Sequence, residues 1–354
     1  MKRHFAGAIV LALPMLAHAQ GSITLYGRID NGIAYTSGVT GSNSKRGSLW
    51  SAESGNWGGS YIAMKGVEDI SPNLHAVFHL EGALLTTTGQ GVTGVPWNRW
   101  AVVGLTHDRY GAFLMGRELS ISNDLAQFDP FRYGNQAGAI LMRGRSWNKS
   151  SNNLSYQSPT VNGFDFYGQY ALSNASNWNG NGSTTQGRQA GAQITYSQKW
   201  LQVRALYDEI RDPTNGKMDS LFTYSREVAL AANVFVGSFK VQAAYQAAHA
   251  DVASGLPSAL QHEWFGVTWK ATPAIDLTAA GYHVNVNHGG GNANFYALGS
   301  AYHFSKRTQV NIELSTVRNS RAANFDIADD AASSSTNTTG HAQTSAYLSI
   351  NHIY

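Results

Sequence analysis

His75, His79 and Glu81 are residue types that bind zinc, and histidines four apart share one face of a helix. Their neighbours make a strand instead. Leu74, Ala76, Phe78 and Leu80 fill the opposite parity, so both histidines and Glu81 lie on the polar face of one extended segment. They line an interior, which protonation of the histidines below pH ~6.5 makes more positive. Gly89-Gln-Gly-Val-Thr-Gly94 has the spacing of a dinucleotide-phosphate loop, but Val95 and Pro96 follow it where that loop needs a helix. His288-Gly-Gly-Gly291 has the form of an esterase oxyanion loop, which requires a nucleophile elbow G-x-S-x-G, and the sequence contains none. Both glycine runs read as loop tips, and no cofactor or metal is implied.

The elements around these residues are strands. In Ser22 to Ile33, Ile23, Leu25, Gly27, Ile29 and Ile33 share one parity, while Ser22, Thr24, Tyr26, Arg28 and Asp30 share the other. At the C-terminal end Ala346, Leu348, Ile350, His352 and Tyr354 alternate with Ser345, Tyr347, Ser349, Asn351 and Ile353. Further strands read near 60–67, 74–84, 100–106, 111–116, 152–158, 164–172, 189–197, 200–209, 224–236, 239–249, 261–270, 275–284, 294–304 and 308–318, sixteen in all. The connectors alternate long and short. The long ones are 34–59, 85–99, 117–151, 173–188, 210–223, 250–260, 285–293 and 319–343; between them lie turns such as 68–73, 107–110, 159–163, 198–199, 237–238, 271–274 and 305–307. Long loops at one end and tight turns at the other fit an antiparallel transmembrane β-barrel. A ~10-residue strand tilted ~45° spans roughly 23 Å, close to the ~25 Å apolar band of such barrels.

Composition agrees. Only 13% of the residues are charged, about half the usual share, while Gly is 37 residues and Tyr 17. Cys is 0, so neither disulfides nor thiolate sites contribute. Lys2 and Arg3, the apolar stretch Phe5 to Leu16 and Ala17-His18-Ala19 read as a signal peptide over 1–19, which leaves one domain over 20–354. Loss of Lys2 and Arg3 lowers the formal charge from +3 to +1, and nucleic acid is not an expected partner.

Several segments resemble the Gram-negative general diffusion porins of β-proteobacteria. They are Gly21-Ser-Ile-Thr-Leu-Tyr-Gly-Arg-Ile-Asp30, Met64-Lys-Gly-Val-Glu-Asp69, Asn153-Leu-Ser-Tyr-Gln-Ser-Pro159, Ala301-Tyr-His-Phe-Ser-Lys-Arg-Thr308 and the aromatic terminus. The resemblance implies a homotrimer of 16-stranded barrels in outer-membrane lipid, passing small hydrophilic solutes and ions, with the third outer loop folded inward as the constriction. Here that loop is 117–151. It carries Arg117, Arg132, Arg143, Arg145 and Lys149 against Glu118, Asp124 and Asp129, an excess of two positive charges.

Lys149 sits where such porins tend to place a basic constriction residue, whereas Tyr61 stands where several have Arg. Weak anion preference is the expectation. Parity puts Arg28, Asp30, Lys65, Asp165, Arg204, Asp208 and Glu227 inside, because Arg or Lys facing lipid at mid-depth costs ~2–4 kcal/mol. Trp57, Trp97, Trp100, Tyr196, Tyr207, Tyr302 and Tyr354 are expected in the interfacial girdles. Two alternatives remain at this point: a channel selective for particular substrates such as organic anions, and a barrel enzyme with Ser, His and Asp on its outer wall.

Overall fold

The computed structural model describes residues 21–40, 45–134, 138–172, 187–327 and 337–354. The expected signal peptide lies outside them. Sixteen antiparallel strands form the wall: β1 (Ser22–Thr40), β2 (Tyr61–Ser71), β3 (Leu74–Leu85), β4 (Trp100–His107), β5 (Gly111–Leu119), β6 (Lys149–Gln157), β7 (Phe164–Ala171) and β8 (Gln189–Ser197) in the first half. The second half comprises β9 (Leu201–Ile210), β10 (Arg226–Val236), β11 (Phe239–His249), β12 (Ala259–Thr272), β13 (Ile275–Val286), β14 (Gly291–His303), β15 (Thr308–Asn319) and β16 (Ala342–Ile353). Each pairs with the next. β1 closes the ring on β16 from Arg28↔Ile353 to Ser37↔Thr344, so the wall has no free edge and its backbone groups are satisfied within the sheet.

The faces are inverted relative to a water-soluble protein. In β10, Val228 and Leu230 are 51% and 57% exposed, while Glu227, Ala229, Ala231 and Asn233 are buried. Outward apolar side chains meet lipid, and the inner parity is polar or small. Lys65, Asp165, Arg204, Asp208 and Glu227 lie on the inner parity, as the alternation requires. Near the tight turns, Tyr110, Phe164, Trp200, Phe239, Trp269 and Tyr302 are exposed and form a belt where amphipathic rings settle at a membrane interface. Two of the expected belt residues are elsewhere: Trp57 lines the passage and Trp100 stacks on His79 at 5.1 Å between ring centres. Trp57 precedes β2 and follows no strand parity, which is why its side was illegible.

Two connectors differ from expectation. β1 runs on to Thr40, and its outer half pairs with Arg46–Ser54, so much of the loop expected over 34–59 is a hairpin. The connector expected over 285–293 is only 287–290, with positive φ at His288, Gly289 and Gly291 and a bond from Gly290 N to Asn287 O. The His-Gly-Gly-Gly run is thus the tip of a tight hairpin, where glycine supplies left-handed backbone without steric cost.

Candidate pore constriction

Between β5 and β6 the chain leaves the wall and packs against its inner face. Ile121–Phe128 is a 3₁₀ helix, followed by a turn with Arg132 at φ 54° and Tyr133 at φ 57°, and by a second 3₁₀ segment, Gly138–Met142. The apolar side chains Ile121, Leu125, Phe128, Phe131, Leu141 and Met142 are buried with Trp264, Tyr282 and Phe295 of the wall. This cluster of buried apolar side chains sits inside the barrel. The seat is cut by glycines: a Cβ at Gly191 would lie 2.3 Å from Ile121 Cγ2, and one at Gly266 would lie 2.4 Å from Pro130 Cγ. Small residues in a strand mark a close approach.

Polar bonds fix the height of the loop. Trp264 Nε1 donates to Phe128 O at 2.9 Å, and Asn233 Nδ2, Gln242 Nε2 and Lys240 Nζ all donate to Gln127 O at 3.2, 3.3 and 3.1 Å. Arg204 NH1 donates to Asp124 O at 2.7 Å, and Gln193 Nε2 to Asp124 Oδ2 at 2.7 Å. Burial pushes the Asp124 carboxyl above the usual range, opposed by Arg204 and Gln193. Asp129 accepts from Tyr282 OH at 2.6 Å, Phe131 N at 2.9 Å and Tyr133 N at 3.2 Å, closing the turn. Arg145 is fully buried, donating to Glu227 Oε2 at 3.1 Å, Asp208 Oδ2 at 3.3 Å and Ser225 O at 2.9 Å. Burial alone would lower its pKa, but the two carboxylates outweigh that and hold it above the ordinary guanidinium value.

The residues singled out in the sequence therefore divide. Arg28 and Arg132 both lie against the Trp57 ring, their guanidinium carbons 5.6 and 5.8 Å from its centre. Asp30 is next to Arg28 on β1 but fully buried, accepting from Tyr347 OH at 2.7 Å and Ser349 Oγ at 3.1 Å. Arg145, Asp124 and Asp129 hold the loop to the wall and are not at the opening. Arg143 donates to Asn324 O at 2.6 Å and lies 4.4 Å over Phe325, tying this loop to the last long one. Glu118 is buried among Asn153, Ser155, Tyr167 and Gln169, each within 2.9 Å. Arg117 donates to Asn98 O at 2.8 Å and to Ser151, which bridges loop ends, and Lys149 opens β6 half-buried beside Asn148.

Three further residues complete the passage. Lys240 lines the same cavity of about 380 Å³ as Arg28, Arg132 and Trp57, and Arg99 lies 5.2 Å over Tyr61 and 5.0 Å over Trp147. Arg99 is paired with Glu81, whereas Arg28, Arg132 and Lys240 form no salt bridge among the described residues. Lys240 shares its parity with Gln242 and Gln246 on β11, a signal available in the sequence. Arg99 and Trp147 lie outside the alternating segments and carried no such signal. His79 accepts or donates with Tyr26 OH at 2.6 Å, and His75 with Asp69 at 2.6 Å; no group able to hold a metal occurs among the described residues.

A closed sixteen-strand barrel with a loop seated against its inner wall, and a group of cations there that form no salt bridge among the described residues, is a channel architecture. The Gram-negative porin family model matches residues 6–322, and the chain belongs to that family. It is 27% identical to an outer membrane porin protein of Bordetella pertussis over 94% of this chain and 97% of that one. A second relative, outer membrane porin protein 32 of Delftia acidovorans, is 30% identical over 49% of this chain and 50% of its own. Among solved structures, an anion-selective porin from Comamonas acidovorans superposes with a TM-score of 0.81 at 19% identity, covering 95% of this chain and 100% of that one. The trimer form of OmpT of Vibrio cholerae superposes at 0.67 and 15% identity, with 94% and 99% coverage. The chain is an outer-membrane porin, a channel and not an enzyme.

Proposed function

We propose that this porin is a general diffusion pore with a weak preference for anions, acting as a homotrimer after removal of residues 1–19 by signal cleavage. The observation that carries the preference is the convergence of Arg28, Arg132 and Lys240 on one passage with no carboxylate in salt-bridge reach among the described residues. Charges of one sign in a narrow, low-dielectric opening focus potential and raise the local concentration of the opposite ion. The porins of similar fold support this reading, since that of Comamonas acidovorans is anion-selective and OmpT of Vibrio cholerae has a trimer form. The aromatic belt and apolar outer wall account for a lipid environment. In liposomes, swelling rates for neutral sugars should fall smoothly with solute size and not saturate with concentration; saturation by one sugar would replace general diffusion with a substrate-specific channel.

The preference is also expected to depend on pH. Burial pushes the Asp129 carboxyl up to about 6, against the opposing bonds from Tyr282, Phe131 and Tyr133. Tyr282, Lys240 and Glu313 are the ionisable groups that face it from the wall. As pH falls through about 6, Asp129 takes up a proton and the buried seat of the loop loses the negative charge that faces Lys240, so the chloride-to-potassium permeability ratio should rise. The linkage sign follows: the folded state binds this proton more tightly than the unfolded one, so its contribution favours folding at low pH and is lost as pH rises from about 4 to about 6. Asp129→Asn should remove that step from a titration of reversal potential between pH 7.5 and 5; an unchanged step would assign it elsewhere.

A further inference from the structure

Away from the apolar seat of the loop the inner wall of this barrel is largely polar, yet Phe235 is on its inner parity and 41% exposed. It follows Asn233 by two residues and faces Lys240 across the β10–β11 ladder, with Lys240 Nζ 5.8 Å from its ring centre. A phenyl ring on the wall of an aqueous passage meets neither lipid nor a packed core, and sharing one cavity with Trp57 and Trp147 it offers a solute an aromatic contact. Phe235 lines the 380 Å³ cavity together with Trp57, Trp147, Arg28, Arg132 and Lys240, and it also borders the adjoining cavity of about 370 Å³. Gln127, Gln202 and Asn233 add neutral hydrogen-bonding groups to the first of these.

Resting on the anion-preferring reading above, we propose that this cavity is a transient subsite for small planar aromatic carboxylates. Arg28, Arg132 and Lys240 meet the carboxylate, which a guanidinium can bind through two parallel N–H bonds. The ring of the solute lies against Phe235 and the indoles of Trp57 and Trp147, in offset or edge-on contact. An aliphatic carboxylate of the same charge gains the first interaction and forgoes the second. The cavity is of the size that holds small organic ligands, and its openness to the passage keeps binding weak enough for the solute to leave.

The test is block of the chloride current through the purified trimer in a planar bilayer, with benzoate, acetate or cyclohexanecarboxylate added to one side. Benzoate should block saturably at a concentration about fivefold to tenfold below that for cyclohexanecarboxylate, the size of an aromatic contact beyond its buried area, and further still below that for acetate. Phe235→Leu, which keeps apolar bulk, should move benzoate toward acetate, and Lys240→Gln should weaken both anions alike. Equal block by benzoate and acetate overturns the subsite, and equal block by benzoate and cyclohexanecarboxylate overturns its preference for planar rings. Failure of the anion-preferring reading shows separately, as a potassium-directed reversal potential in KCl with no carboxylate present.

Discussion

Replacing Arg28, Arg132 and Lys240 together by glutamine is expected to abolish the anion preference and tip the pore toward cations. The three are cations at the opening that form no salt bridge among the described residues, whereas Arg99 is matched by Glu81 and Arg145 by Asp208 and Glu227. A unit charge about 4 Å from a permeating ion is worth about 1 kcal/mol even at the dielectric of water, so each removal should change the local anion occupancy on the order of fivefold. Chloride-to-potassium permeability ratios from reversal potentials measure this directly, and single substitutions should fall between wild type and the triple variant. Glutamine keeps hydrogen-bonding capacity and approximate length, which limits collapse of Trp57 into the passage. By contrast, Arg143→Gln should alter the ratio little, because Arg143 is bound to Asn324 and stacked on Phe325 away from the opening.

The second large effect concerns the seat of the loop. Arg145→Met leaves Asp208 and Glu227 buried without their cation, a loss of about 3–5 kcal/mol for breaking a buried ion pair from one side. The loop between β5 and β6 should then detach intermittently from the β9–β10 wall. Single-channel records should show a larger mean conductance with added fluctuation, and the midpoint of urea unfolding should fall. Combining Arg145→Met with Asp208→Asn and Glu227→Gln removes the stranded charges and should recover most of the stability. Wild-type conductance and stability in Arg145→Met would contradict the role of this triad in holding the constriction.

The wall was legible in the sequence because lipid outside and water inside impose a period of two on the strands, and the structure has sixteen strands in the wall. Where the outside is solvent on both faces the rule lapses, and that is where expectation and structure part: the β1 hairpin to Arg46–Ser54 and the four-residue connector 287–290. The inward loop was found by length and resemblance, but the fates of its charges were not. Arg132 and Arg145 are the same residue type thirteen positions apart in one irregular segment, with no periodicity to tell which faces water. Their roles are set by the left-handed turn at Arg132 and Tyr133 and by Asp208 and Glu227, which wait on the wall for Arg145. The wall did hold a clue to the seat: Ala229, Ala231, Gly191 and Gly266 are small inner residues where the loop packs. Weak alternation against alanine in β10 was the imprint of that packing.

The most direct test of the account is the reversal potential of the purified protein in a planar bilayer under a tenfold KCl gradient at neutral pH. The cluster of Arg28, Arg132 and Lys240 predicts a potential displaced toward the chloride equilibrium value, abolished in the triple glutamine variant. A displacement toward the potassium value would leave the porin fold standing and contradict the assignment of these three side chains as the charges that govern permeation.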